Sequence, residues 1–236
     1  MAEVSSQLAE SFILACLESG RRPTVATMHD RRATLRLLFR LARRALLATT
    51  DPTLDLTLPA RPVRTARPLA DAEIELCRDV ALWSLSSRRM AACWALAEAT
   101  GRGAELGCVT ARDVYLDDGR VWLHGGKRTN DRWGELTEWG VRVLCARLAE
   151  ITATSPIVYA GEGRGIAGQV STCSAISTVL VRAGLAGEPD VRPVSVAGWA
   201  GRRAFENGAG IGEVAGLLGV RTLDQAARLI GWDWSV

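Results

Sequence analysis

Two basic side chains stand where phosphate chemistry could be done. Arg102 closes an apolar helical run within ATGRGAEL, three residues ahead of Glu105-Leu106, and Lys127 follows the glycine pair Gly125-Gly126 within GKRTNDR. A guanidinium offers a planar fork of N–H donors to phosphate oxygens, whereas an ammonium is a compact point charge that can also hand over a proton. Lys127 is the only lysine of the chain, so the other 28 of its 29 basic residues are arginine. An arginine at a helix end and a lysine on a hairpin turn define a candidate phosphate-binding cleft.

The elements that must position these two residues follow from residue spacing. MAACWALAEA, ahead of Arg102, has small and apolar residues on all sides, which predicts a central buried helix over 89–100. Apolar residues then alternate through Val109, Val114, Leu116, Val121 and Leu123, with turn signals at Asp118-Gly119 and Gly125-Gly126. That pattern predicts three short antiparallel strands with Lys127 on a hairpin loop. Helical spacing returns over 136–151, and two short helices are predicted over 211–218 and 222–230 around Gly219.

The N-terminal third has a different character. Between Gly20 and Arg67 eleven arginines face three aspartates, in a chain whose formal net charge is only +3. Over 24–48 the spacing predicts one longer helix or two close-set ones, with Arg32, Arg36, Arg40 and Arg43 on one stripe, beside an apolar arc of Leu35, Leu38, Phe39, Ala42 and Leu46. A row of guanidiniums spaced by helical turns suits a nucleic-acid backbone, and a solvated helix face is the plainer reading. Asp51 to Pro68 holds four prolines and three arginines and reads as an extended linker. The organisation expected is a helical domain over 1–61, a linker over 62–68 and a second domain over 69–236.

Composition narrows the function classes. There is no run of eighteen uncharged apolar residues and no basic leader at the N-terminus, so a membrane span and a secretory signal are not expected. The six cysteines include no CxxC pair and read as buried reduced thiols. With only His29 and His124 beside them, no metal site and no cofactor are expected. GRGIAG at Gly163–Gly168 spells a dinucleotide fingerprint without the parallel βαβ context that gives it meaning, and reads as a surface loop. Arg202, Arg203 and Arg221 lie on a helix–turn–helix pattern near the C-terminus that could address DNA.

The order of these features resembles the tyrosine recombinases, or phage integrases. ATGRGAEL is similar to the family's TGLRxSEL, which carries its first catalytic arginine, and GKRTNDR to its GKGxKxR hairpin, which carries the catalytic lysine. PLADAEIE resembles the opening of the family's catalytic domain, and GAGIGEVAGLLG its AGxxxxxIxxLLGH segment. The resemblance implies a mainly α protein with a small antiparallel sheet, a helical core-binding-like domain and a catalytic-domain-like fold. It also implies double-stranded DNA as partner, with Arg32, Arg36, Arg40, Arg43, Arg102, Lys127, Arg128, Arg132, Arg202 and Arg203 as phosphate contacts. An active recombinase or further copies on DNA are the other companions it suggests, in a prokaryotic cytosol or nucleoid.

The same alignment places the family's HxxR on Val194 to Ala197, its second histidine on Val220 and its tyrosine nucleophile on Leu229. Strand cleavage by that route needs a hydroxyl nucleophile, a second arginine on the phosphoryl oxygens and groups that move protons. The expectation is therefore a DNA-binding, catalytically degenerate relative, acting by occupancy, regulation or assistance. A working recombinase with atypical residues, or a protein-interaction module on the same fold, are the alternatives.

Overall fold

The computed structural model describes residues 4–59, 65–84, 88–159, 161 and 166–233, and hydroxyl caps start several of its helices. Ser5 caps α1 (Ser6–Leu14) and Thr24 caps α2 (Val25–Arg44), each side-chain oxygen accepting an amide N–H of the first turn. The chain divides into two compact units, Met1–Arg64 and Thr65–Val236.

In the first unit α1 and α2 pack through a small core of Ala9, Ile13, Phe39 and Ala42. α2 stops short of the predicted residue 48 because Leu46 turns into the left-handed region at φ 58°. The predicted apolar arc holds at Phe39 and Ala42 and fails at Leu38 and Leu46, which are exposed. Residues 51–59 are not a free linker. Arg32 donates to Leu56 O at 2.8 Å, Arg36 to Thr53 O at 3.2 Å and Leu54 O at 3.3 Å, and His29 Nε2 meets Pro59 O at 2.9 Å. These bonds lay the proline-containing segment along α2.

The second unit opens with α3 (Asp71–Asp79), whose Glu73 caps its own start by accepting the Ala70 amide at 2.8 Å. α4 (Arg88–Glu98) is the central helix: every residue from Ala91 to Glu98 is buried. Around it come α5 (Gly103–Leu106), a sheet, α6 (Glu138–Leu148) and α7 (Ile166–Arg182). The sheet has strand order β1 (Val114–Tyr115), β2 (Arg120–Leu123), β3 (Arg132–Glu135), all antiparallel. Val121 and Leu123 point into the core, while Tyr115, Arg120, Trp133 and Glu135 are exposed. α8 (Val194–Glu206), α9 (Ile211–Leu217) and α10 (Leu223–Ile230) close around a separate apolar cluster. α8 approaches α10 so tightly that a Cβ on Gly198 would sit 2.5 Å from Leu229 O.

Several expectations change. Cys77 and Cys93 are buried thiols, pushed up to about 12 chiefly by desolvation, but Cys16 and Cys145 are exposed. All six cysteines are thiols outside any disulfide, and no group of His, Cys, Asp and Glu among the described residues could hold a metal ion. Of the glycine-rich match, residues 163–165 lie outside the described residues, and Ile166, Ala167 and Gly168 open α7. The described strands include no parallel pair. No described helix is long and apolar enough to cross a membrane.

Candidate functional site

Three segments distant in sequence meet at the end of the central helix. α4 ends at Glu98, and the chain reverses through Thr100 at φ 69°, a left-handed conformation that a β-branched residue rarely adopts. Thr100 is held there because its hydroxyl donates to Leu217 O at 2.8 Å and its carbonyl accepts Arg132 Nη2 at 2.6 Å. Gly101 follows against Leu106 and Leu96 O, with no room for a side chain. The turn delivers Arg102 to the N-cap of α5, where its amide donates to Glu105 Oε2 at 3.0 Å.

The second segment is the β2–β3 hairpin. Gly126 and Thr129 pair across it, which leaves Lys127 and Arg128 as the two residues of the tip. Both are exposed and have no partner among the described residues. Thr129 anchors the tip by donating its hydroxyl to Glu105 Oε1.

The third segment is the end of α9, whose last carbonyls lack partners within the helix. Leu217 O accepts Arg132 Nε at 3.0 Å, Leu218 O accepts Arg102 Nη2 at 3.4 Å, and Gly219 O accepts the Asn130 amide at 2.9 Å. Cationic donors here also suit the negative end of the helix dipole. Gly219 has φ 63°, and a Cβ on it would lie 2.5 Å from Arg132 Nη1, so both its conformation and its space require glycine.

Glu105 is the hub of this junction. Its buried carboxylate takes Arg132 Nη1 at 2.9 Å and Nη2 at 3.1 Å, with the Thr129 hydroxyl and the Arg102 amide as further donors. The Arg102 guanidinium is only partly engaged: its Nε is buried without a hydrogen-bond partner. Desolvation pushes its pKa down, the Glu105 carboxylate opposes that shift, and neighbouring Arg132 adds to it. A buried N–H with no acceptor is costly, and an anion reaching this guanidinium would relieve that cost.

No protein-family model matches the sequence, and no curated protein matches it. Solved structures do. The crystal structure of the XerA recombinase is 18% identical over 99% of this chain and 80% of that one, with a TM-score of 0.58. A lambda integrase dimer bound to a COC′ core site gives 16%, 99% and 67%, with a TM-score of 0.70. Lambda integrase residues 75–356 bound to DNA gives 17%, 98% and 83%, with a TM-score of 0.68. The fold is that of the tyrosine recombinases.

On the tyrosine-recombinase fold, Arg102 and the Lys127 hairpin are tied to one junction through Glu105 and Thr129. Arg132 is a correction to the expected phosphate contacts. It is buried, and every N–H of its guanidinium is spent on Glu105, Thr100, Leu217 and Asn130. Arg32 and Arg36 are likewise turned onto backbone carbonyls of 53–56, whereas Arg40 and Arg43 are exposed and unpaired among the described residues.

Arg202 pairs with Glu206 at 2.7 Å. Arg203 lies over the Trp199 ring at 5.2 Å and lines a cavity of about 220 Å³ that Thr100 and Leu217 also border. The positions aligned with the missing catalytic groups are packed for structure. Ala197 and Val220 are buried in the C-terminal cluster, Leu229 packs against it, and Val194 opens α8. Thr100 and Thr129 escaped the sequence reading, since a strained turn and a hydroxyl's distant partner leave no periodic signal.

Proposed function

We propose that this chain is a DNA-binding protein on the tyrosine-recombinase scaffold that holds duplex DNA without cleaving it by the tyrosine route. The observation that carries this reading is the contrast between two halves of one site. Arg102 keeps a partly unsatisfied guanidinium beside a hairpin that presents Lys127 and Arg128, which suits a phosphate. At Ala197, Val220 and Leu229, where the family resemblance puts the second arginine, a histidine and the nucleophile, the side chains are apolar and build the C-terminal core. The solved relatives bound to DNA support duplex DNA as the partner. In this reading the N-terminal unit grips the duplex through Arg40 and Arg43, and the protein acts by site occupancy, regulation or assistance of an active recombinase.

A second reading, an active recombinase with atypical residues, is favoured by one fact: the chain's only lysine sits on the hairpin tip. A nicked duplex that traps covalent intermediates separates the two. The degenerate scaffold shifts the duplex in a gel, more weakly at higher salt, and forms no adduct that survives denaturation. Any covalent protein–DNA species, lost in Lys127→Arg, supports the second reading instead, because arginine keeps the charge but cannot readily act as the leaving-group acid. Absence of DNA binding near physiological salt removes both.

A further inference from the structure

The outward face of the sheet carries an aromatic cluster that the phosphate junction does not use. Trp122 and Trp133 are direct cross-strand partners with ring centroids 5.1 Å apart, and Tyr115 meets the Trp133 edge at 5.2 Å. Tyr115 is 47% and Trp133 42% exposed, an unusual state for large aromatics that already touch each other. The guanidinium of Arg120 lies 5.3 Å from the Trp133 centroid, so the cluster already binds one cation within the chain.

The charge around this face is acidic, against the trend of the chain. Asp117 and Asp118 stand exposed on the β1–β2 turn and Glu135 on β3, while Arg120, the cation among them, is paired with Asp118 at 3.2 Å. An acid-rimmed face repels a phosphate backbone, which argues against single-stranded nucleic acid stacking on these rings. It complements a guanidinium, which gains from the carboxylates and from the ring faces together. Tryptophan, tyrosine and arginine clustered on one surface are also the residue types that dominate protein-binding hot spots.

We infer that this sheet face is a docking surface for an arginine-bearing segment of a partner polypeptide, with Trp122 and Trp133 receiving the guanidinium and Asp117, Asp118 and Glu135 orienting it. The surface shares no residue with the proposed DNA contacts, and it stands or falls without them.

The test titrates the full chain with a short arginine–glycine peptide and with its lysine–glycine counterpart, followed by calorimetry. The arginine peptide binds about tenfold more tightly than the lysine peptide. Trp133→Ala and, separately, Asp117→Asn with Asp118→Asn each weaken it by about tenfold while circular dichroism and DNA mobility shift stay unchanged. Equal binding of the two peptides, or binding indifferent to both variants, overturns the inference, as does no peptide binding at all. If Trp133→Ala instead abolishes binding of a single-stranded oligonucleotide, the face is a nucleic-acid platform. If it converts a dimer to a monomer without affecting the peptide, the face is a self-association surface. Either result also overturns the inference.

Discussion

The carboxylate of Glu105 and the guanidinium of Arg132 meet as a two-point ion pair, at 2.9 and 3.1 Å, with both side chains buried. This pair joins the start of α5 to β3 and lies directly under the turn that presents Arg102. Removing one partner leaves an unpaired buried charge, which is far more costly than the pair's net contribution. Glu105→Gln is therefore expected to destabilise the fold by about 3–5 kcal/mol in urea unfolding. A loss below about 1 kcal/mol would show that water or another carbonyl readily replaces the carboxylate.

Arg102 should behave in the opposite way. Its buried Nε has no partner, so Arg102→Met removes an unsatisfied donor and is expected to leave stability within about 1 kcal/mol of the parent, or to raise it. The same change should cost phosphate binding. Inorganic phosphate should raise the thermal midpoint of the parent and leave that of the variant unmoved, and the salt dependence of DNA binding should fall by about one counterion. An equal phosphate response in both proteins would separate Arg102 from the anion site.

The four arginines of α2 divide into two pairs with different expected effects. Arg40→Gln with Arg43→Gln removes exposed, unpaired cations, so stability should hold within about 0.5 kcal/mol while the salt slope of DNA binding falls by about two. Arg32→Gln with Arg36→Gln removes charge-assisted bonds to Leu56, Thr53 and Leu54 carbonyls, and each such bond contributes about 1.5–3 kcal/mol. That variant should loosen residues 51–59, seen as faster proteolysis and faster amide exchange there. A reduced salt slope with unchanged protection would instead put Arg32 and Arg36 on DNA.

Glu73 gives a pH dependence whose sign is fixed. The Arg67 hydrogen bond at 2.7 Å is the main cause of a Glu73 pKa below the ordinary carboxylate value, against an opposing desolvation and with help from the Ala70 amide. A depressed folded-state pKa contributes stability that is fully present above the ordinary glutamate value, about pH 4.3, and is lost as pH falls through the folded value. Acid unfolding of Glu73→Gln should accordingly show a shallower loss of stability below about pH 4 than the parent. Identical acid limbs would mean that Glu73 titrates alike in the folded and unfolded chains.

Much of the architecture was legible in the residues alone. Helical spacing located α2, α4, α6, α9 and α10, and Asp118-Gly119 and Gly125-Gly126 marked the turns of the sheet. These are local signals, since a period or a turn acts within a few residues of its cause. The same reading placed Arg102 at a helix end and Lys127 on a hairpin, and exposed the apolar substitutions at Ala197, Val220 and Leu229.

What each arginine does was decided only by the tertiary structure. Arg40 and Arg132 look alike in the sequence, as basic residues expected to contact phosphate. One projects freely from α2, while the other is buried and holds Glu105, Thr100 and the end of α9. A guanidinium has five donors and a long reach, so its role depends on which acceptors packing brings within about 3 Å. For Arg132 most of those acceptors lie far away in sequence, Leu217 by 85 positions. Local spacing carries no record of them.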